Sequence, residues 1–260
     1  MIRVLSAIVV PPHLSVSGGA RAGEQLSLAL APYCDVTIAN MMEEPHEKQL
    51  QERIGPGRVR VHCTLPAPFR LQQVPNRVKS LFYRSDIPAL VQTKAFDIVH
   101  IHNPIPALEM SRIANACRTS NVPYVISTHG FNEVSRGEEI YGFDWLKRIV
   151  WRRFVRSPVA QATRGADAIF MLSPADEPAV REMGYSGIDL PIVSNGIHAP
   201  ALHNRELDAE VCRKFGISPA REPGQITCNV PSKPHTQQGA RYPVQSLCLI
   251  EATISSDRRR

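Results

Sequence analysis

Three histidines at the ends of apolar runs are the residues of this chain best suited to chemistry. His100 and His102 close one run, and His129 closes the next, directly after Thr128 and before Gly130. A histidine held in such a place can donate a hydrogen bond to a hydroxyl group or accept a proton near neutral pH. His129 is therefore the candidate catalytic residue, although the same pattern also fits a capped histidine in the core.

The His-x-His pattern also raises the question of a metal site. Residues two apart on a strand lie on the same face, so His100 and His102 could both contact one ion. No third ligand is adjacent, because Asn103 and Pro104 follow. We expect both histidines to be hydrogen-bonded into the wall of a cleft, and we predict no metal.

A glycine-rich stretch stands immediately before the first predicted helix. Glycine at Gly18 and Gly19 lets backbone amides approach a phosphate closely. Gly18 and Gly23 have the spacing of a P-loop, but Glu24 stands where lysine would be required. The dinucleotide fingerprint fails as well, since Ala20 occupies the position of its second glycine. A phosphate-contacting loop and a plain strand-to-helix turn both remain open.

The elements that would position these residues alternate along the chain. Apolar, β-branched runs predict strands over 2–10, 34–39, 58–63, 97–102, 123–128, 167–173 and 190–194. Helical patterns occupy 19–31, 76–93, 105–119, 143–164 and 175–183. This alternation predicts an α/β fold with a single doubly wound, mainly parallel, Rossmann-like sheet. Ligands of such sheets bind beyond the carboxyl ends of the strands, where the candidate residues lie.

One predicted helix, over 143–164, is strongly basic on one side. Its cationic residues crowd one face, while apolar residues such as Leu146, Ile149 and Val150 lie near the other. A helix of this kind can rest on an anionic bilayer. It can equally pack on the sheet with its basic face in water, and we expect this second arrangement.

Composition excludes several classes of function. The 30 Lys and Arg residues exceed the 24 Asp and Glu residues, for a formal net charge of +6, but no basic stripe interleaved with aromatic residues is present, so we expect no nucleic-acid partner. The six cysteines form no C-x-x-C pair, which indicates neither a zinc site nor a disulfide framework. Reduced thiols favour a cytoplasmic protein, alternatively one peripheral to the inner face of the membrane.

Five motifs, taken in order, resemble glycosyltransferase family 4, a group of retaining sugar transferases with the two-domain GT-B architecture. They are Gly18-Gly19 after the first strand, FDIVHIHNP at 96–104, STHG at 127–130, GADAI at 165–169 and VSNGI at 193–197. The resemblance covers approximately residues 1–218. It implies an acceptor-side, N-terminal domain over 1–200, then the inter-domain linker and the start of the C-terminal domain over 201–218.

The resemblance also assigns roles. Gly18 and Gly19 would lie near the donor diphosphate or the acceptor, and His129 would face the cleft beside the transferred sugar. The substrate-binding set would be Gly18, Gly19, His100, His102, Asn103, Thr128, Gly130, Asn195 and Gly196. The family transfers a sugar from a nucleotide diphosphate sugar to a glycan, lipid or small-molecule acceptor with retention. No cofactor is implied, and a metal is usually not needed.

The chain departs from the family after Ser218. The expected Gly-Arg motif, Lys-Gly segment and glutamate pair do not follow, and 219–260 reads as an irregular tail. Three hypotheses remain open. The chain is an enzyme half that is completed by a separate polypeptide with the donor-binding domain, or a non-catalytic acceptor- or membrane-binding module. The third hypothesis is a truncated gene product whose tail is translated out of frame.

Overall fold

A parallel sheet organises the residues that this computed structural model describes, namely 1–11, 17–41, 44–61 and 63–195. Their strands are β1 (Arg3–Ile8), β2 (Asp35–Asn40), β3 (Val59–Val61), β4 (Cys63–Thr64), β5 (Arg84–Ser85), β6 (Ile98–His102), β7 (Tyr124–Ser127) and β8 (Ala168–Phe170). The main sheet has the order β3-β2-β1-β6-β7-β8, and each neighbouring pair is parallel. β4 and β5 pair separately and antiparallel. The predicted fold class is confirmed.

Helices connect the strands. They are α1 (Gly18–Leu30), α2 (Glu44–Ile54), α3 (Asn76–Ser80), α4 (Ile87–Gln92), α5 (Ala107–Ser120), α6 (Phe131–Ile140), α7 (Trp145–Trp151), α8 (Ser157–Arg164) and α9 (Glu177–Glu182). A π-helical turn, Arg152–Arg156, joins α7 to α8, and 3-10 turns occupy Ala67–Phe69 and Pro174–Asp176. The described residues all lie within one unit, Met1–His198.

Alternate residues of β1 face opposite sides of the sheet, as the two-residue period of a strand requires. Val4 and Ile8 join the core beneath α1 and α2. Leu5 and Ala7 join a larger core beneath α4, α5, α6, α8 and α9. Both faces are therefore covered, which accounts for the continuously apolar strand sequences.

Several predicted elements differ from the observed ones. The helix expected over 76–93 is two short helices, α3 and α4, separated by β5. The strand expected over 190–194 is reduced to a single bridge between Met171 and Ile192. Helices α2 and α6 were not predicted. The segments 201–218 and 219–260 lie outside the described residues.

Helix α7 exposes Leu146, Ile149 and Val150, which were expected to pack on the sheet, and also exposes Trp145. Trp145 is 73% exposed, Leu146 56%, Ile149 55% and Val150 42%. No residue of α7 is buried. The prediction of a packed apolar face is therefore wrong for this part of the helix.

Trp151 ties α7 to α6. Its indole Nε1 donates to the backbone oxygen of Val134 at 3.1 Å. A Cβ at Gly137 would come within 2.4 Å of Cζ2 of the same ring, so only glycine admits this approach. The exposed apolar side chains thus stand on a helix whose position is set by its last residue.

Candidate functional site

The candidate site lies where the strand order reverses. β1 is flanked by β2 on one side and by β6 on the other, so the connections from β1 and β6 leave the sheet in opposite directions. In doubly wound sheets this switch point opens a crevice at the carboxyl ends of the strands. α1 begins here, capped by Ser17, whose hydroxyl accepts a hydrogen bond from the backbone N–H of Ala20 at 3.3 Å.

Gly19 and Asn103 lie in close contact at this edge. A Cβ on Gly19 would fall 2.1 Å from Oδ1 of Asn103, so any side chain there would displace the amide or the helix. Asn103 has a left-handed backbone, with φ of 67°, a conformation that asparagine tolerates better than most residues. Its Nδ2 is buried without a hydrogen-bond partner among the described residues. The first turn of α1 thus packs against the Asn103 amide, whose Nδ2 has no acceptor among the described residues.

His102 lies directly beneath α1. A Cβ at Gly23 would be 3.0 Å from Cγ of its ring and 3.2 Å from Cγ1 of Ile8. The His102 side chain is wholly buried, and neither ring nitrogen has a partner in the described part of the chain. Burial, followed by the neighbouring charges of His100 and His129, holds the pKa of His102 well below its ordinary value. The ring is therefore neutral at physiological pH.

His100 points to the same face as His102, as the strand period predicts, and their ring centroids are 4.0 Å apart. Unlike His102, it is satisfied, because Nε2 lies 2.8 Å from Oγ of Ser127 on the neighbouring strand. Burial, and next the charge of His129, lowers the pKa of His100 to about 4. The expectation of a hydrogen-bonded histidine is confirmed for His100 but not for His102.

His129 follows β7 and completes a row of three histidines. Its ring centroid is 6.1 Å from that of His102, and 7% of its surface is exposed. Burial lowers the pKa of His129, and the charge of Asp176 partly opposes this. Gly130, with φ of 82°, then starts α6 in a backbone conformation that glycine adopts without strain. A neutral imidazole is thus held at the edge of the site.

A carboxylate that the sequence analysis missed fixes the turn before His129. Oδ2 of Asp176 accepts from Oγ1 of Thr128 at 2.7 Å and from the backbone N–H of Leu172 at 2.9 Å. Its other oxygen accepts from Nδ2 of Asn132 at 3.2 Å. Asp176 also closes a capping box with Ser173. The capping-box spacing Ser-Pro-Ala-Asp was the available signal for this residue.

A second missed residue is Asn40, at the carboxyl end of β2. It pairs in register with Ile8 of β1, and only 1% of its surface is exposed. Both Oδ1 and Nδ2 lack partners among the described residues. A polar residue that ends an otherwise apolar strand was the signal in the sequence.

The predicted site residues are mostly brought together. Gly19, Asn103, His102, His100 and His129 form one continuous group through the contacts given above. Gly18 is exposed beside it, and no atom lies within 4 Å of where its Cβ would be. Thr128 and Gly130 flank His129.

Two of the predicted residues are not part of this group. Asn195 is exposed and follows the bridge at Ile192, and no described hydrogen bond links it to the group. Gly196 lies outside the described residues. Within the described ranges, no cluster of three or more His, Cys, Asp or Glu side chains could hold a metal ion.

Comparison with known proteins identifies the family. A family model, Glycosyltransferase Family 4, matches residues 16–199, which is more than half of the chain. The chain belongs to glycosyltransferase family 4. The resemblance drawn from the motifs is thereby confirmed. No curated protein matches the sequence of this family 4 chain.

Two solved structures of one protein, HepE, support the fold. The chain is similar to Anabaena Alr3699/HepE in complex with UDP and glucose, with 15% identity and a TM-score of 0.52 over 83% of this chain and 50% of that one. HepE in complex with UDP gives 15% identity, a TM-score of 0.50 and the same coverage, 83% and 50%. UDP-N-acetylglucosamine 2-epimerase from Rickettsia bellii gives 12% identity and a TM-score of 0.46, over 84% of this chain and 52% of that one. This family 4 chain therefore spans about half the length of these proteins.

Proposed function

We propose that this domain forms the acceptor-side wall of a retaining glycosyltransferase, which transfers a sugar from a nucleotide diphosphate sugar to a glycan, lipid or small-molecule acceptor. Family membership supports the reaction class. HepE, a protein of the same fold, is known in complex with UDP and glucose, which supports a uridine nucleotide as the first donor to test. Transfer also requires a donor-binding domain, and we propose that a second polypeptide can supply it.

The observation that carries the proposal is the set of buried polar atoms without partners at the switch point. A buried donor or acceptor that lacks a partner costs about 1–3 kcal/mol, so natural proteins rarely keep several of them together. Asn103 and His102 carry such atoms beside the first turn of α1, whose backbone N–H groups favour an anion. A diphosphate and its attached sugar would satisfy both sets of groups.

His129 is in the protonation state that its proposed role requires. A neutral imidazole can donate one hydrogen bond and accept another, whereas an imidazolium can only donate. Its lowered pKa keeps it neutral at physiological pH. We assign it the binding of a hydroxyl group of the transferred sugar, in line with the family role.

A transfer assay tests this proposal. A panel of nucleotide sugars is offered to the chain alone and together with the products of neighbouring genes. We expect transfer, with retention measured by NMR of the product anomer, only when a donor-binding partner is present. His129→Ala then lowers the rate by about 100-fold. Tyr33→Ala, exposed beyond the far end of α1, serves as the control. If no partner restores transfer, the split-enzyme proposal is abandoned.

We propose a second, membrane-related role for α7. Four apolar side chains exposed on one short helix are unusual for a surface that meets only water, and Trp145 is of the type that prefers a membrane interface. Lys147 and Arg148 of the same helix add positive charge that favours an anionic surface, although Asp144 pairs with Lys147. No helix among the described residues combines the length and apolar content of a bilayer span, so the contact proposed is peripheral.

Liposome flotation tests the second role. The chain is expected to float with vesicles that contain anionic lipid and to remain unbound with neutral ones. Trp145→Ala combined with Ile149→Ala should abolish flotation, whereas Tyr33→Ala should leave it unchanged. Equal and negligible binding of the unsubstituted chain to both vesicle types would refute membrane association.

A further inference from the structure

A separate cavity lies on the opposite face of the sheet from α1. Its volume is about 300 Å³, at the small end of the range for sites that bind small molecules. Its walls are the first turns of α5, the π-helical turn with α8, and the segment that leads into β5. These elements belong to the other core, so the cavity is distinct from the histidine site.

The lining carries more positive charge than the protein itself neutralises. Arg84, Arg112 and Arg153 all line it. Arg112 pairs with Glu109, but neither Arg84 nor Arg153 has a carboxylate partner among the described residues. The guanidinium of Arg153 only approaches the Phe154 ring, at 5.9 Å from its centroid.

The one acidic group in the lining is fully engaged. The carboxylate of Glu109 is wholly buried. Oε1 accepts from the backbone N–H of Ser85 at 2.9 Å and from its hydroxyl at 2.6 Å, while Oε2 accepts from Arg112. Glu109 therefore holds the wall in place and leaves the cationic groups to attract an anion.

The N-terminus of α5 adds to this attraction. The helix has 14 residues, and Pro106 at its N-cap provides no side-chain acceptor for the first amides. Leu108 and Glu109, in its first turn, line the cavity. The partial positive charge of a helix start favours an anion placed near it.

The remaining lining suits a sugar ring. Phe82 and Tyr83 contribute aromatic surface, and Ser111, Ser157 and Gln161 contribute hydroxyl and amide groups. Oγ of Ser111 lies 3.2 Å from Oε1 of Gln161, so these polar groups face each other across the α5–α8 boundary. The π-helical turn brings Arg153 to the same place, and such turns are frequent at functional sites.

We propose that this cavity binds a sugar that carries an oxyanion, either a carboxylate as in a uronate or a phosphate as in a sugar phosphate. The oxyanion pairs with Arg84 and Arg153 at the start of α5, and the ring lies against Phe82 and Tyr83. The site goes beyond the proposed transfer reaction. It is tested by binding to this chain alone and does not depend on turnover.

NMR titration of the full chain tests the proposal with four probes: glucuronate, glucose 6-phosphate, glucose and inorganic phosphate. We expect at least one anionic sugar to shift the backbone amide signals of Arg84, Leu108 and Ser157, with an affinity at least about tenfold above that for glucose. The anionic sugar that binds identifies the charged group. Arg84→Gln and Arg153→Gln should each weaken binding by about tenfold, since each removes a charge-assisted hydrogen bond.

Arg136→Gln is the matched control. Arg136 is an exposed arginine of α6 outside the cavity, and its removal should leave the affinity unchanged. The assignment is overturned if neither anionic sugar binds, if glucose binds equally well, or if both lining variants bind like the unsubstituted chain. Inorganic phosphate that binds as tightly as glucose 6-phosphate would overturn the sugar part of the assignment.

Discussion

The two halves of the site edge differ in whether their buried polar groups have hydrogen-bond partners. At the ends of β7 and β8, Asp176 accepts hydrogen bonds from Thr128, Asn132 and the backbone of Leu172. At the ends of β2 and β6, the buried polar atoms of Asn40, His102 and Asn103 have no partner among the described residues. The first half is a complete hydrogen-bond network, and the second holds buried polar atoms without partners, which we propose a ligand completes.

This difference distinguishes residues that position the site from residues that we propose to bind a ligand. Asp176 acts on the site through the turn that carries His129, because its oxygens are already occupied. The amides of Asn40 and Asn103 carry buried atoms without partners among the described residues, and we propose that these two residues bind a substrate. Removing a polar group should therefore destabilise the first half and cost little in the second, and four experiments test the comparison.

The largest effect is expected from Asp176→Ala. It removes a buried acceptor from two side chains and from the backbone N–H of Leu172, and should lower the free energy of unfolding by about 4 kcal/mol. Urea unfolding measures it. Glu177→Ala, an exposed neighbour whose pair with Arg181 lies at the surface, should change stability by less than about 0.5 kcal/mol. Equal losses in the two variants would remove the distinction between the halves.

Acidification should destabilise the half at the ends of β2 and β6, which includes His100. The pKa of His100 is about 4 in the folded chain against 6.5 in the unfolded one, so the unfolded chain binds more protons between these values. The contribution of His100 is present above pH 6.5, and its loss should lower the free energy of unfolding by about 3 kcal/mol as the pH drops to 4. His102 and His129, whose pKa values are also lowered, add to this loss. Unfolding curves against pH measure it, and His100→Gln should flatten this part of the profile. An unchanged slope in the variant would contradict the assignment.

Thr128→Val should destabilise the first half by about 2 kcal/mol, because the isosteric change removes a hydrogen bond to a buried carboxylate. Chemical denaturation measures the loss. Activity with a partner domain should fall as well, since the turn before His129 loses its anchor. Full stability in this variant would show that the Asp176 network is not needed to hold the turn.

Asn40→Leu is the matched change in the other half and has the smallest expected effect. Leucine has nearly the shape of asparagine, and the change removes two buried polar atoms without partners. Stability should stay within about 1 kcal/mol of the original or rise. Thermal unfolding measures this. A loss as large as that of Thr128→Val would mean that the Asn40 amide has a structural partner.

The fold was predictable because its strands are apolar throughout and its helices alternate with them. Helix α2 escaped prediction because only Leu50 and Ile54 are buried among its described side chains, too few for a periodic pattern. Helix α6 escaped because Gly137 interrupts it, and the need for that glycine comes from Trp151 in a later helix. Neither cause is visible in a local stretch of sequence.

The site could be predicted from the sequence where its residues lie at or near the ends of strands. Gly19 and His129 follow β1 and β7, and His102 ends β6. Parallel strands bring such positions to one edge. Asp176 and Asn40 were missed because their importance depends on hydrogen bonds, present or absent, that only the packed structure defines. The exposed apolar face of α7 was misread for the same reason, since periodicity does not say whether a partner element is present.

The most direct test of the account compares Gly19→Ala with Gly18→Ala. A new Cβ at Gly19 collides with Asn103, whereas one at Gly18 meets open space. Binding of the donor is expected to be weak without a donor-binding domain, but NMR titration detects weak binding. UDP-glucose in large excess should therefore shift the signals of the first turn of α1 and of His129 in the unsubstituted chain. We predict that Gly18→Ala keeps this response and that Gly19→Ala loses it. The same response in both variants, or none in the unsubstituted chain, would contradict a donor site at the switch point.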